Sequence, residues 1–244
     1  MLSERTSKIL EAAVREFIRF GEPVSSDRLY VRYDFGIKPA MIRLELEALE
    51  DQGFLEQPHH SAGRCPSDLG YEFFAKNLLS NDNAIPTEEI FENFLRPRGL
   101  HDFLSVFSER LNLLCAGVEH PSGEAVKCGL DNLINTLNWS AADEIRSVVK
   151  DFEALDERIL NIGKILENDM SPSVFIGKHS PVTKSPALSV VAGSYDFGDS
   201  KITVLAIGPK RMDYEKTIKT FRGLKNPKPK SASGKSGKKN SRRK

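Results

Sequence analysis

Three short apolar periods near the N-terminus, each followed by a glycine, constrain this chain more than any other feature. Their buried positions are predicted to be Ile9, Leu10, Ala13, Val14, Phe17 and Ile18, then Leu29, Tyr30 and Tyr33, then Ile42, Leu46 and Leu49. The glycines that follow the runs are Gly21, Gly36 and Gly53. Ser3 and Ser25 or Ser26 are typical N-caps, and Pro39 suits a first helical position. Because helices this short are stable only when packed together, the pattern predicts three helices with a helix-turn-helix at Gly36.

The segment after Gly53 predicts a small β-hairpin. "FLEQ" has the composition of a strand, "PHHSAG" that of a loop and "RCP" that of a short return strand. Ser67 or Asp68 then begins a fourth helix, whose buried positions are Tyr71, Phe74, Ala75 and Leu78. A helix-turn-helix followed by a small hairpin is the element order of a winged helix, with the hairpin as its wing.

The rest of the chain predicts an α+β domain. A polar segment at 80–89 indicates a boundary, and residues 88–113 are predicted to be helical. "LNLLCAGV" and "EAVKC" predict a hairpin, 130–168 a helical region, "SVFIG", "ALSVVAGSY" and "KITVLAIG" strands, and "MDYEKTIKTF" a last helix. The predicted fold class is therefore α+β: a winged helix at 1–80, a second α+β domain at 81–221 and a basic tail at 222–244.

Charge is distributed unevenly along the chain. Ten basic and no acidic residues lie in 222–244, which leaves 25 basic against 34 acidic residues in the rest. The tail has no apolar period and is expected to be disordered. It is expected either to add sequence-independent DNA contacts, to bind RNA or to serve only solubility.

Composition also excludes several classes of protein. The three cysteines are odd in number and not closely paired, which favours reduced thiols over disulfides or a metal knuckle. No run of about 18 apolar residues predicts a membrane span. The charged start "MLSERTSKIL" does not resemble a secretory signal, so a cytoplasmic location is expected. No sequence pattern indicates a cofactor, a metal or an enzymatic activity.

The outward side of the third helix is the first half of a candidate DNA-binding surface. At 100° per residue, Ala40, Arg43, Leu44 and Glu47 lie opposite the apolar stripe. Leu44 suits a thymine methyl group, and Arg43 suits a guanine edge or a phosphate. Lys38 and the start of the helix suit phosphate. The candidate residues here are Lys38, Pro39, Ala40, Met41, Arg43, Leu44 and Glu47.

The wing loop is the second half of this surface. Its candidate residues are His59, His60, Ser61, Gly63 and Arg64, because the small residues let a backbone approach the sugar-phosphate chain and the others are phosphate donors. A metal site at His59, His60 and Cys65 is disfavoured, since adjacent histidines on an extended loop point in opposing directions. A Cys65 nucleophile is disfavoured in a half-buried hairpin. The plainer interpretation is that the hairpin only covers the small domain.

The N-terminal segments "GEPV", "PAMIR", "GFLEQPHHSAGR" and "PSDLGY" resemble, in order and spacing, those of the HrcA family of bacterial heat-inducible transcription repressors. This likeness covers residues 2–74. Farther on, "GLDNLINTLNWSAADEIRSVV", "FIGK" and "AIGPKRMDYEKTI" are similar to the family's second, GAF-like domain. The resemblance implies a homodimer that binds double-stranded DNA at an inverted-repeat operator (CIRCE) before chaperone genes. It also implies activation by the GroEL chaperonin, and no enzymatic activity. Little room remains between Ser80 and Leu130 for the family's inserted dimerisation region, so a reduced GAF-like domain is expected.

The sequence departs from the family pattern where specificity is decided. Lys38, Met41 and Leu44 replace the family's Ser or Thr, threonine and asparagine, and His60 replaces a wing threonine. Losing a capping side chain costs about 1 kcal/mol. Replacing asparagine by Leu44 removes an adenine contact, so a shifted operator preference is expected.

Two other functions remain open from the sequence. A GAF-like domain suits a small-molecule sensor, although no Gly-rich phosphate loop or ligand cluster identifies a ligand. A hydrolase would rest only on scattered Ser, His and Asp residues.

Overall fold

The computed structural model describes residues 2–59, 62–80, 99–137, 142–162, 165–166, 172–196 and 201–224. The helices within these ranges are α1 Glu4–Phe20, α2 Ser26–Arg32, α3 Pro39–Asp51, α4 Asp68–Ser80, α5 Gly99–Leu111, α6 Leu130–Thr136, α7 Ala142–Glu153, α8 Leu155–Ile162 and α9 Tyr214–Arg222. The strands are β1 Leu55–Glu56, β2 Cys65–Pro66, β3 Leu114–His120, β4 Ala125–Cys128, β5 Ser173–Ile176, β6 Leu188–Asp196 and β7 Lys201–Pro209. This mixed composition confirms the α+β class. No helix in these ranges is long and apolar enough to cross a bilayer.

The first three helices begin and end where capping chemistry predicts. Ser3 and Ser25 each accept a hydrogen bond from a backbone N–H in the first turn of α1 and α2. Gly21, Gly36 and Gly53 adopt positive φ angles of 69°, 67° and 78°, a region in which glycine carries little steric cost. The residues that α3 buries are Ile42, Leu46 and Leu49. The predicted periods of α1 and α3 are therefore confirmed, whereas α2 buries Leu29 and leaves Tyr30 50% exposed.

The hairpin is shorter than the sequence predicts. Its strands β1 and β2 hold two residues each and pair antiparallel. Pro58 and Pro66 have no N–H, which limits the ladder at both ends. Arg64 instead exchanges two backbone hydrogen bonds of 2.8 Å with Val24, in the connection between α1 and α2. The hairpin is thus held on its second side by the chain that precedes α2.

The approach of Gly63 to that connection is very close. A Cβ atom on Gly63 would lie 2.5 Å from the carbonyl carbon and oxygen of Val24. The small size of Gly63 therefore allows close contact with the protein's own backbone at Val24. From the sequence, the same small size was interpreted as space for a sugar-phosphate chain.

A five-stranded antiparallel sheet forms the centre of the second half, in the order β4-β3-β7-β6-β5. Its strands are apolar on both faces. One face, which includes Cys115, Val191 and Val204, belongs to a cluster shared with α1 to α5 and α9. The other face, which includes Ala116 and Leu205, packs against α6, α7 and α8. The hairpin β3–β4 and the strands β5, β6 and β7 lie where the sequence predicts them.

Some predicted segments fall partly outside the described residues. Of the helix expected at 88–113, the structure describes α5 from residue 99 onward. The tail predicted at 222–244 is outside the description from residue 225. The folded part nevertheless continues past the predicted boundary at 221, since Arg222 ends α9 and Leu224 is fully buried.

Helix α4 joins the N-terminal helices to the sheet. The ring of Tyr214, at the start of α9, lies 6.0 Å from that of Tyr71 and 6.4 Å from that of Phe74. Lys210 Nζ, in the turn before α9, lies 2.6 Å from Asp68 Oδ1 in the first turn of α4. The hydrophobic cluster is continuous across this contact, so α4 belongs to both packing layers.

We expect Tyr214→Phe to lower the free energy of unfolding by about 1–3 kcal/mol. The buried Tyr214 hydroxyl donates to the Lys210 carbonyl at 2.8 Å and lies 2.9 Å from Ser189 Oγ, and phenylalanine leaves both unsatisfied. Urea denaturation measures the change. Tyr30→Phe is the control, because Tyr30 is 50% exposed and its change is expected to stay within about 0.5 kcal/mol. Equal effects of the two substitutions would contradict this role.

We expect Gly63→Ala to destabilise the fold by about 1–3 kcal/mol, because the added methyl group overlaps the backbone of Val24. The same denaturation experiment measures it. His59→Ala, at an exposed position of the same hairpin, is expected to change stability by no more than about 0.5 kcal/mol. A Gly63→Ala protein as stable as the parent would show that the connection yields freely.

Candidate nucleic-acid interface

A charged row lies along the solvent side of α3. Arg43, Glu47 and Glu50, here named the α3 stripe, follow one another at spacings of four and three residues and share one side of the helix. The Arg43 side chain is 72% exposed, and its Nε donates to Glu47 Oε1 at 3.0 Å. Leu44 and Met41, beside the stripe, are 56% and 44% exposed. The candidate residues predicted on α3 therefore face solvent, opposite the buried apolar stripe.

The start of α3 offers few free backbone donors. Lys38 is the N-cap residue and makes no side-chain capping bond, as its replacement of a serine or threonine predicts. The N–H groups of Met41 and Ile42 both bond to the Lys38 carbonyl, and Pro39 has none. Within the described residues, Ala40 is left with the one first-turn N–H that has no backbone acceptor. A phosphate at this helix start would rely mainly on the exposed Lys38 ammonium.

A network that the sequence analysis missed fixes α3 against α1. Glu45 Oε1 accepts hydrogen bonds of 3.1 and 2.9 Å from Arg5, and Glu45 Oε2 accepts one of 2.8 Å from Thr6 Oγ1. The Glu45 side chain is only 14% exposed. Its angular position beside the buried stripe was an available signal for partial burial. The partners lie 39 and 40 residues away, so no local spacing indicates them.

Arg64 brings the hairpin to the C-terminal end of the α3 stripe. Its Nε lies 2.8 Å from Glu50 Oε2, and its side chain is 14% exposed. The Nε atom is buried and has no hydrogen-bond acceptor in suitable geometry, so the contact is an ion pair without a directed bond. Glu50 thus occupies the guanidinium that the sequence predicts to be a phosphate donor. Arg64 has to leave Glu50 before it can reach a phosphate.

Of the candidate residues in the wing loop, the structure describes His59, Gly63 and Arg64. His59 is exposed, and its carbonyl accepts from the Ala62 N–H at 2.8 Å, which closes the turn. Gln57 Nε2 donates to the Ala62 carbonyl at 2.9 Å and braces the loop. His60 and Ser61, both candidates from the sequence, lie outside the described residues.

The chemistry of Cys65 does not favour catalysis. Burial raises the pKa of its thiol, and the nearby Glu56 carboxylate raises this pKa further. The residue is therefore a protonated, weakly nucleophilic thiol near neutral pH. Cys65, Cys115 and Cys128 are all free. Among the residues that the structure describes, no group of three or more His, Cys, Asp or Glu side chains is placed to hold a metal ion.

A small cavity lies between the sheet and the helices packed on one of its faces. The space between α6, α7, α8 and the sheet has a volume of about 10 Å³, and its lining residues include Leu114, Val148 and Ile207. A volume of this size holds at most a single water molecule. This cavity is therefore too small to hold an organic ligand.

One family model and several known proteins are similar in sequence to this chain. A family model described as "HrcA protein C terminal domain" matches residues 79–218. A protein of Natranaerobius thermophilus named "Heat-inducible transcription repressor HrcA" is 46% identical over 89 residues, which are 36% of this chain and 26% of that protein. A protein of the same name from Desulfitobacterium hafniense is 32% identical over 170 residues, 67% of this chain and 48% of that protein. The matched segments thus span between about a quarter and about half of these relatives' lengths.

A solved structure described only as a hypothetical protein shares the fold. Its TM-score is 0.70 at 17% sequence identity, and the superposition covers 91% of this chain and 99% of that one. At this sequence identity the structural similarity shows a shared fold and nothing about function. The family model, in contrast, matches more than half of the residues. The chain therefore belongs to the HrcA family.

Proposed function

We propose that this chain is a sequence-specific DNA-binding repressor of heat-inducible genes. In this proposal residues 1–80 form a winged helix, 81–221 a reduced GAF-like domain and 222–244 a basic tail. Family membership and the names of the matched relatives support a role in repression. A regulator of this kind acts by occupying a promoter and needs no enzymatic chemistry.

One observation carries the proposal: the contact of 2.8 Å between Arg64 and Glu50 joins the hairpin to the exposed side of α3. This contact brings Arg64 of the hairpin beside the outward residues of α3. A helix of this diameter fits a major groove, while an adjacent hairpin reaches the neighbouring backbone. Had the hairpin lain on the buried side of α3, the surface would be too small to specify a site.

Within this surface, we assign base contacts to some exposed side chains and phosphate contacts to others. In this proposal the exposed Leu44 contacts a thymine methyl group and the exposed Arg43 donates to a guanine edge. Lys38, at the helix start, pairs with a phosphate. Because Leu44 stands where the family usually has an asparagine, we propose an operator that differs from the family's usual one at the base pair it contacts.

The family resemblance further supports a homodimer on an inverted repeat. Two copies related by a two-fold axis place two α3 helices in successive major grooves, about one helical turn apart or farther. We propose a CIRCE-type inverted repeat before chaperone genes as this operator, and a GroEL-type chaperonin as the partner that promotes the active state. Footprinting the full chain on chaperone-gene promoters tests the operator. Protection without two-fold symmetry would reject the dimeric arrangement.

We expect Arg43→Ala to weaken operator binding by about 1–3 kcal/mol and to relax preference at one base pair. Binding to a set of single-base operator variants measures both effects. Lys150→Ala, which removes an exposed cation from α7 on the opposite face of the sheet, is the control and is expected to leave preference unchanged. Equal losses on every operator variant would assign Arg43 to the phosphate backbone instead.

We expect the full chain to be a dimer at micromolar concentration, since a palindromic operator requires two copies. Size-exclusion chromatography with light scattering gives the mass directly, for comparison with 27.2 kDa for one chain. A monomer under these conditions would contradict the two-fold model while leaving the DNA-binding surface itself to be tested by footprinting.

A further inference from the structure

Both arginines of the proposed DNA-binding surface already have a carboxylate partner on α3. Arg43 pairs with Glu47 at 3.0 Å, and Arg64 pairs with Glu50 at 2.8 Å. Of the cations assigned to this surface, Lys38 is left with no acidic partner among the residues that the structure describes. The surface that is proposed to meet a polyanion is therefore almost neutral in the free protein.

The two pairs differ in how they are held. Arg43 and Glu47 are exposed neighbours one turn apart, a type of pair that contributes little to stability and breaks easily. Arg64 is mostly buried, yet its Nε makes no directed hydrogen bond to Glu50. Since charge-assisted hydrogen bonds are the strong component of such pairs, the Nε donor of Arg64 gains a bond by exchanging Glu50 for an acceptor in better geometry. A phosphate oxygen is such an acceptor.

Structural support of the hairpin does not depend on these acids alone. The backbone pair between Arg64 and Val24 and the close approach of Gly63 also hold the hairpin, besides the contact between Arg64 and Glu50. Glu47 contacts the exposed end of Arg43 on the same helix and joins no two elements. The structural acid of α3 is Glu45, which ties α3 to α1. Glu47 and Glu50 are thus placed to act on the charge of the surface.

We propose that Glu47 and Glu50 are specificity-determining counterions, which occupy Arg43 and Arg64 until a phosphate or base edge displaces them. The inference rests on the proposed DNA-binding function and deepens it. Binding to arbitrary DNA comes mainly from cations that contact phosphates, so an intramolecular carboxylate on each arginine lowers that affinity. On a matching operator, base contacts by Leu44 and the released Arg43 offset the cost of displacement. The discrimination between operator and other DNA therefore increases.

The experiment uses the full chain with Glu47→Gln or Glu50→Gln. Glu153→Gln removes the same charge from an exposed position on α7 and is the matched control. Affinities for the footprinted operator and for a scrambled duplex of equal length are measured at 50 and 200 mM salt. Melting temperatures are recorded so that all variants are compared while folded, because Glu50→Gln removes the partner of a mostly buried cation.

Each glutamine variant is expected to bind the scrambled duplex more tightly and to lose operator preference, while Glu153→Gln behaves like the parent. One additional phosphate contact steepens the salt slope by about 0.9, which makes the loss of affinity between 50 and 200 mM salt roughly 3.5-fold larger. In an Arg43→Ala background, Glu47→Gln is expected to have no further effect, since its partner is gone.

Three results would overturn the inference. They are a glutamine variant that matches the Glu153→Gln control, one that binds both duplexes less tightly while folded, and a Glu47→Gln effect that persists without Arg43. Failure of the proposed function is separate, because it is the absence of any operator preference in the parent chain. The parent chain can lack operator preference while its glutamine variants still gain salt-dependent affinity for DNA. That result would support the counterion role of Glu47 and Glu50 and would contradict the proposed repressor function.

Discussion

The burial of three side chains decides which side of α3 faces solvent. Ile42, Leu46 and Leu49 are 0%, 3% and 0% exposed, and burying a side chain of this kind is worth about 1.5–3 kcal/mol. Rotating α3 by one residue would exchange these for charged positions. The outward direction of Arg43 and Leu44 is therefore imposed by the core and needs no contact with DNA. The Glu45 network with α1 adds a directed constraint to the same orientation.

The N-terminal helices and the sheet share one hydrophobic cluster and form one packed body. The side chains of α4 enter the same cluster as α5, α9 and one face of the sheet, and Tyr214 lies between aromatic rings of α4. A change in the sheet domain that displaced α9 would therefore be felt by α4 and by the helices packed on it. Movement in one of these two layers is therefore transmitted to the other by direct packing.

Local features of the structure were predictable from the sequence, and features that join distant segments were not. The helical periods of α1 and α3, the Ser3 and Ser25 caps and the glycine turns depend on neighbours within a few residues, and these are confirmed. The hairpin strands were predicted too long, although Pro58 and Pro66 were an available signal for their shortness. By contrast, the partner of Glu45 lies 40 residues away. The local spacing of residues in the sequence does not indicate contacts between segments so far apart in the chain.

The candidate surface shows the same division. Helical geometry alone placed Arg43, Leu44 and Glu47 outward. It gave no means of seeing that Glu50 would hold Arg64, because that contact depends on how the hairpin returns to α3. The sequence therefore predicted Arg64 as a phosphate donor without showing its pairing with Glu50.

The pairing of the hairpin with Val24 has a consequence for how such proteins diverge. Main-chain atoms, which every residue possesses, secure the base of the hairpin at Arg64. Side chains nearer the tip, such as exposed His59, are absent from that attachment. Mutation at the tip can therefore explore new chemistry while the scaffold stays in register, so lineages are able to retune this loop without first repairing the domain that carries it.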